Sequence, residues 1–251
     1  MTTRVYVEAR GSRRLVRYDP EGSVIGISLA EQLNRTEQSV GGAIGYQIRP
    51  TTSIALIGDW DFFDYEQVGN PRDAKTNRAG ARVEMSPVGT MSGELLVAYQ
   101  DLTPREPDLV GYTGIVLEAD IALRPGGIVE IHLLADRDVF PTYWFDNTYA
   151  LRQGGGLSFR RPVSRALTIE GRATMHEASY PVEATEISPE DGSEITAKRL
   201  DRVYRFDGRV EWRLNRTTTL GFRVGYINRI SNFPRLDVDG FQIGSSYSLV
   251  Y

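Results

Sequence analysis

The stretch Tyr204-Arg-Phe-Asp-Gly-Arg-Val-Glu-Trp-Arg-Leu214 puts Tyr204, Phe206, Gly208, Val210, Trp212 and Leu214 on one parity. Arg205, Asp207, Arg209, Glu211 and Arg213 fall on the other. Side chains of an extended chain point alternately to opposite faces, so this reads as a strand with one apolar face and one face carrying five successive charges. Neighbouring stretches repeat the pattern. Leu220, Phe222, Val224 and Tyr226 oppose Thr219, Gly221, Arg223 and Gly225, and Phe241, Ile243, Ser245, Tyr247, Leu249 and Tyr251 oppose Gln242, Gly244, Ser246, Ser248 and Val250. Upstream, Leu167, Ile169, Ala173 and Met175 oppose Glu170, Arg172, Thr174 and His176, while Val129, Ile131 and Leu133 oppose Glu130, His132 and Asp136.

The strands recur with a period. Alternating runs end at turns containing Pro50, Pro87, Pro125 and Pro162, spaced by 37, 38 and 37 residues. In Trp212-Arg-Leu-Asn-Arg-Thr-Thr-Thr-Leu220, Asn215 stands where proline stood, 53 residues after Pro162, and the excess fits a loop inserted around residues 179 to 198. Each period therefore holds two strands, a tight turn and a longer loop. About thirteen segments result, at roughly 3–18, 22–34, 38–49, 52–64, 74–87, 90–102, 109–124, 127–139, 146–160, 165–178, 199–214, 217–231 and 236–251. A break at Gly11-Ser12 would make fourteen, and a strand upstream of Met1 is a further alternative. The expectation is one domain over residues 1–251, all β, with no helix of convincing length.

Composition narrows the function. The 251 residues carry 29 basic and 33 acidic side chains for a net charge of −4, which argues against a nucleic-acid binder tracking phosphates. No cysteine is present, so disulfides and thiolate-ligated metals are excluded. No run of about 18 apolar residues exists, which rules out a membrane-crossing helix but not a crossing strand. The first residues lack an apolar leader, so any export signal was removed or lies outside this sequence.

A soluble sandwich or lipocalin-like barrel satisfies the same alternation. Four features favour a membrane barrel. Many segments run about 12 to 16 residues, against roughly 9 to 11 needed to cross the hydrocarbon. Short turns alternate strictly with longer loops. Aromatic residues gather at strand ends: Trp60, Phe62, Tyr65, Tyr99, Tyr143, Trp144, Phe145, Tyr149 and Tyr204 near the loops, and Tyr46, Phe159, Trp212, Tyr247 and Tyr251 near the turns. Such rings favour headgroup level, where they would form two girdles. The opposite face is too charged and glycine-rich for a dry core, yet suits a hydrated lumen.

The chain resembles a Gram-negative outer-membrane β-barrel. Its ending, Tyr247-Ser-Leu249-Val-Tyr251, is similar to the aromatic-ended signal that the barrel-assembly machinery reads, with Gly244 displaced from the usual glycine position. The recurring turn units, Trp212 to Leu220 above all, resemble porin-like barrels often encoded beside exopolysaccharide-export genes. That resemblance implies an up-and-down antiparallel barrel of about 12–14 strands in the outer membrane, and an amino-terminally shortened copy, since members are usually longer. It also implies polysaccharide or small polar solutes as what passes or docks.

Catalysis, metals and cofactors are not expected. The only histidines, His132 and His176, lie on the polar parity of two strands with another between them, and a lipid-facing hydrolase pair would need the other face. A metal set of His132, Glu130 and Asp136 is conceivable, but such spacing arises by chance in a charged ladder. Gly154-Gly-Gly156 has no following helix to make a phosphate cradle, and either bends the barrel or clears lumen space. Asp237-Val-Asp239-Gly240 lacks the remaining ligands of a calcium loop and marks strand entry.

The candidate pore wall comprises Arg205, Asp207, Arg209, Glu211, Arg213, Arg223 and Arg229 on the last strands, with Glu118, Asp120, Glu130, Asp136, Glu170 and Arg172 upstream. Two arrangements remain open: arginines facing Glu118, Asp120, Glu130 and Asp136 across the pore, or arginines neutralised on their own wall by Asp207, Glu211 and Glu170. Residues 177 to 198, holding Glu177, Glu183, Glu186, Glu190, Asp191 and Glu194, are expected as the longest loop, either a constriction, a cation-binding tip or a solvated tip. A non-conducting barrel whose loops bind a partner is the competing function.

Overall fold

The computed structural model describes residues 4–19, 21, 23–24, 27–66, 72–86, 90–142, 147–187 and 192–249. The chain opens with β1 (Val5–Val16), a two-residue ladder of β2 (Ser23–Val24) and β3 (Ile27–Ser28), and α1 (Leu29–Leu33). Then follow β4 (Arg35–Arg49), β5 (Thr52–Tyr65), β6 (Ala74–Met85), β7 (Met91–Pro104), β8 (Tyr112–Leu123) and β9 (Glu130–Pro141). The last are β10 (Tyr149–Pro162), β11 (Leu167–Ile187), β12 (Glu194–Arg213), β13 (Thr218–Ser231) and β14 (Val238–Leu249). Apart from β2 and β3, the strands form one 12-stranded sheet in chain order, every neighbouring pair antiparallel. This is the up-and-down meander that the sequence predicts. Among the described residues no ladder joins β1 to β14.

Register makes the two faces legible. On β5 the outward positions are Ile54, Leu56, Gly58, Trp60 and Phe62, followed by Asp64; on β12 they are Trp212, Val210, Gly208, Phe206 and Tyr204, followed by Arg202. The same count of five holds on β7 from Met91 to Tyr99 before Asp101, on β8 from Leu123 to Ile115 before Thr113, and on β11 from Leu167 to Met175 before Glu177. Five alternate positions span roughly 30 Å along a strand and roughly 23 Å along the normal at about 40° tilt, close to the apolar band of a transmembrane barrel. Each band ends at the loop side on a residue that tolerates headgroup and water. Leu56, 70% exposed, is free to meet lipid.

Inward, the N-terminal part of the sheet is packed rather than charged throughout. Ala43, Ala55, Ile57 and Leu96 form one buried cluster, and Ala98, Leu102, Tyr112, Val116 and Tyr149 another. A fully buried leucine or isoleucine contributes roughly 1.5–3 kcal/mol, so these clusters stiffen this flank. Arg10 closes over them onto Asp59 at 2.7 Å, and Arg82 reaches Glu8 at 2.8 Å. Alternation alone does not reveal this filling, because a small apolar inward residue reads the same as a gap.

Several boundaries depart from expectation. The segment expected at 22–34 is no strand of the sheet but the β2–β3 ladder and α1, whose first turn is capped by Ser28 Oγ accepting from the Glu31 amide. The first segment is one continuous strand, unbroken at Gly11-Ser12. Residues 177 to 198 are mostly strand: β11 and β12 stay paired out to Ile187 and Glu194, with a register shift between Ser179 and Glu183. A paired ladder satisfies the backbone that a free loop would leave to water. Glu190 and Asp191 lie outside the described residues, as do Pro87, Tyr143, Trp144, Phe145 and Tyr251. Asp237 does mark strand entry, accepting from the Ser231 amide just before β14.

The turn that substitutes asparagine for proline is explained by its side chain. Asn215 Oδ1 accepts from the Thr217 and Thr218 amides at 2.9 Å each and from the Thr217 hydroxyl at 3.0 Å, fixing the β12–β13 reversal. Asn215→Ala is expected to lower stability by about 1 kcal/mol with no change in outer-surface exposure. Urea unfolding in detergent checks it, and an unchanged midpoint would show that the turn does not depend on this side chain.

Candidate functional site

The candidate functional surface is the inward wall of β6 to β13, where parity places every candidate pore residue. Arg205, Asp207, Arg209, Glu211 and Arg213 point inward from β12, opposite Thr174, Arg172, Glu170 and Thr168 of β11. Arg223 and Arg229 do so from β13, opposite Arg209 and Val203. Glu118, Asp120, Glu130 and Asp136 point inward from β8 and β9.

These side chains surround adjoining cavities. One of about 990 Å³ is lined by six arginines (Arg152, Arg160, Arg172, Arg205, Arg209, Arg223) and four acids (Glu130, Asp136, Glu170, Asp207). Toward the turns it adjoins a space of about 290 Å³ that shares Arg160 and Arg209 and adds Arg165, Glu211 and Arg213. On another side it shares Asp136, Arg152, Arg172, Thr174 and His176 with a space of about 330 Å³ lined also by Glu118 and Asp120. A fourth space, about 570 Å³, is acidic, with Glu84, Glu94, Glu118 and Asp120 against Arg124 and His132.

Of the two charge arrangements left open, local neutralisation accounts for many of the arginines. Arg223 meets Asp207 at 2.6 Å, Arg209 meets Glu211 at 2.6 Å, and Arg160 meets Glu170 at 3.2 Å. Glu130 and Asp136 do not face the arginines from afar; Glu130 takes Arg124 at 2.6 Å and Asp136 takes Arg152 at 3.0 Å. Arg229 leaves the wall to donate to the Leu236 carbonyl at 2.7 Å, beneath the 3₁₀ turn Pro234–Leu236. Arg172, Arg205 and Arg213 on one side, and Glu94 and Glu118 on the other, have no ion pair among the described residues. Uncompensated charge of both signs therefore remains on the inward wall.

The histidines stand on β9 and β11 with β10 between them, as expected. His132 Nδ1 lies 2.6 Å from Asp120 and its Nε2 3.3 Å from Glu130, while His176 Nε2 lies 2.8 Å from Asp136. His132, Glu130 and Asp136 are not gathered as a ligand set: among the described residues no group of three such side chains could hold a metal ion. The glycines of β10 clear space, as one reading of them had it. A Cβ at Gly154 would stand 2.7 Å from the His176 ring and 2.2 Å from the Met175 carbonyl, so that close approach requires glycine.

The aromatic residues fall into two sets. Tyr46, Trp60, Phe62, Tyr99, Phe159, Trp212 and Tyr247 are outward and exposed, and Tyr204 is outward and half-buried. Leu249 is outward on β14 beside Tyr247. Tyr149 corrects the expectation of a girdle residue: it is 7% exposed, packs edge-on to Tyr112 and donates to the Gly111 carbonyl at 3.2 Å. It is the first residue of its strand, paired with Pro141, and its ring turns against Tyr112 instead of outward. Tyr65 is likewise buried. Missed by the sequence reading were Arg152, Arg160, Arg78 and Arg82, although the inward parity of β6 and β10 is their signal.

A family described as "Putative beta-barrel porin 2" matches residues 2–248. The chain belongs to this family. No curated protein matches it. Membership agrees with the twelve-stranded meander and supports a porin-like outer-membrane barrel.

Proposed function

We propose that this porin-family barrel is a passive channel passing small polar solutes or saccharides across the outer membrane of a Gram-negative cell. The observation carrying this reading is the series of adjoining spaces that share wall residues from the turn end upward, lined by charge on an inward face. Side chains close an eight-stranded barrel and leave open water at sixteen or more, so twelve strands suit a narrow, selective passage. Membrane lipid would meet the apolar band, and the assembly machinery would engage β14 through Tyr247 and Leu249. The resemblance of the turn units to barrels encoded beside exopolysaccharide-export genes suggests the candidate solute, an acidic or neutral glycan.

Planar-bilayer recording of refolded protein under asymmetric salt tests this. Discrete steps with a definite reversal potential are expected. Silence from protein shown by protease protection to be inserted would overturn the channel. It would favour the second reading, a non-conducting barrel that binds a partner through its loops. Two observations favour that reading: the apolar filling of the β4–β8 flank, and the packing of Phe233 and Leu236 against Tyr180, Ala184, Ile195 and Ala197 at the loop end.

A further inference from the structure

We infer that Arg172 and Arg205 form a binding subsite for one anionic group of a saccharide, a carboxylate or a sulfate or phosphate ester, as it passes the lumen. This rests on the channel reading and adds the ligand class and the residues. In the β11–β12 ladder Arg172 stands opposite Asp207 and Arg205 opposite Thr174, so the two arginines are diagonal neighbours on the inward face. Diagonal pairs lie within reach of long side chains, so two guanidinium groups can converge on one anion.

Their freedom has a structural cause. Asp207 is the acid that should neutralise Arg172, yet its carboxylate is turned to Arg223 at 2.6 Å. It lies over Gly225, where a Cβ would stand 3.1 Å from its Oδ1. Arg209 is likewise held by Glu211 at 2.6 Å. Neither Arg172 nor Arg205 has an ion pair among the described residues, and both line the space of about 990 Å³. Arg172 also borders the adjoining space of about 330 Å³, which puts the subsite at a junction of the passage. Planar guanidinium forks match carboxylate and phosphate oxygens bidentately, whereas a neutral hydroxyl gains little from them.

The test uses the full chain in detergent and in bilayers, with trigalacturonate as anionic probe, maltotriose as neutral probe and inorganic sulfate as free anion. Arg172→Gln/Arg205→Gln is expected to weaken calorimetric binding of trigalacturonate by at least about tenfold, the loss of charge-assisted hydrogen bonds, without altering maltotriose. Asp207→Asn, which releases Arg223 and removes the acid opposite Arg172 in the ladder, should tighten it. Competition by sulfate marks the site as one for the charged group itself, and tighter trigalacturonate than sulfate assigns the sugar. Equal trigalacturonate affinity in the double glutamine variant, with an unchanged unfolding midpoint, would overturn the subsite while leaving conductance intact. Absent conductance with binding that still depends on the two arginines would instead sink the channel and keep the subsite.

Discussion

Replacing Arg205, Arg209 and Arg213 by alanine is expected to move the zero-current potential in a salt gradient toward cation selectivity. All three point inward from β12, and two of them, Arg205 and Arg213, have no ion pair among the described residues to spend their field. Loss of Arg209 also uncovers Glu211, its partner at 2.6 Å, so this substitution removes a cation and exposes an anion. A unit charge about 4 Å from a permeating ion is worth about 1 kcal/mol even in bulk-water dielectric. Three removals along one wall should therefore change the cation-to-anion permeability ratio by about tenfold. The shift should shrink from 0.1 M to 1 M salt, roughly as the Debye length falls from about 10 Å to about 3 Å. The complementary substitution, Glu94→Gln/Glu118→Gln, should move the potential in the opposite sense. An unchanged potential in the triple variant would remove β12 from the conduction path.

Phe206→Arg is expected to destabilise the barrel by about 2–4 kcal/mol, the cost of an arginine near the middle of the lipid-facing band. Phe206 is the fourth of five outward positions on β12 counting from the turn, and it is 51% exposed to whatever surrounds the sheet. One residue away, Arg205 is native on the opposite, inward face, so the substitution changes the face and not the chemistry. Phe206→Leu should keep stability within about 1.5 kcal/mol, since it preserves apolar area at lower volume. Urea unfolding from lipid vesicles, followed by the loss of heat-resistant mobility in electrophoresis, provides the readout. Equal midpoints for the arginine and leucine variants would mean that this face meets water, and the membrane orientation of the whole sheet would be reversed.

The wall was legible in sequence where alternation is strict and uninterrupted. On β12 every odd position from Arg205 to Arg213 is charged, and the ladder puts all five on one face. Reading failed at a strand end, at Tyr149, which stands on the first residue of its strand and turns inward to Tyr112. It failed again at residues 177 to 198, whose acids suggested a solvated loop although β11 and β12 remain paired there. Polar residues are tolerated in a strand pair that projects into water, so composition could not separate ladder from loop.

Period and parity in the amino-acid sequence were sufficient for the class of fold and for the face on which the charges of β12 sit. These are local properties: a side chain's face depends on its own strand, and a turn depends on a few residues such as Asn215. The pairing of charges was decided only by tertiary structure. Whether Asp207 neutralises Arg172 or Arg223 depends on where three strands place their side chains and on the space that Gly225 leaves. The filled flank of β4 to β8 was decided in the same way, because packing density is a property of neighbouring strands together and of no single one.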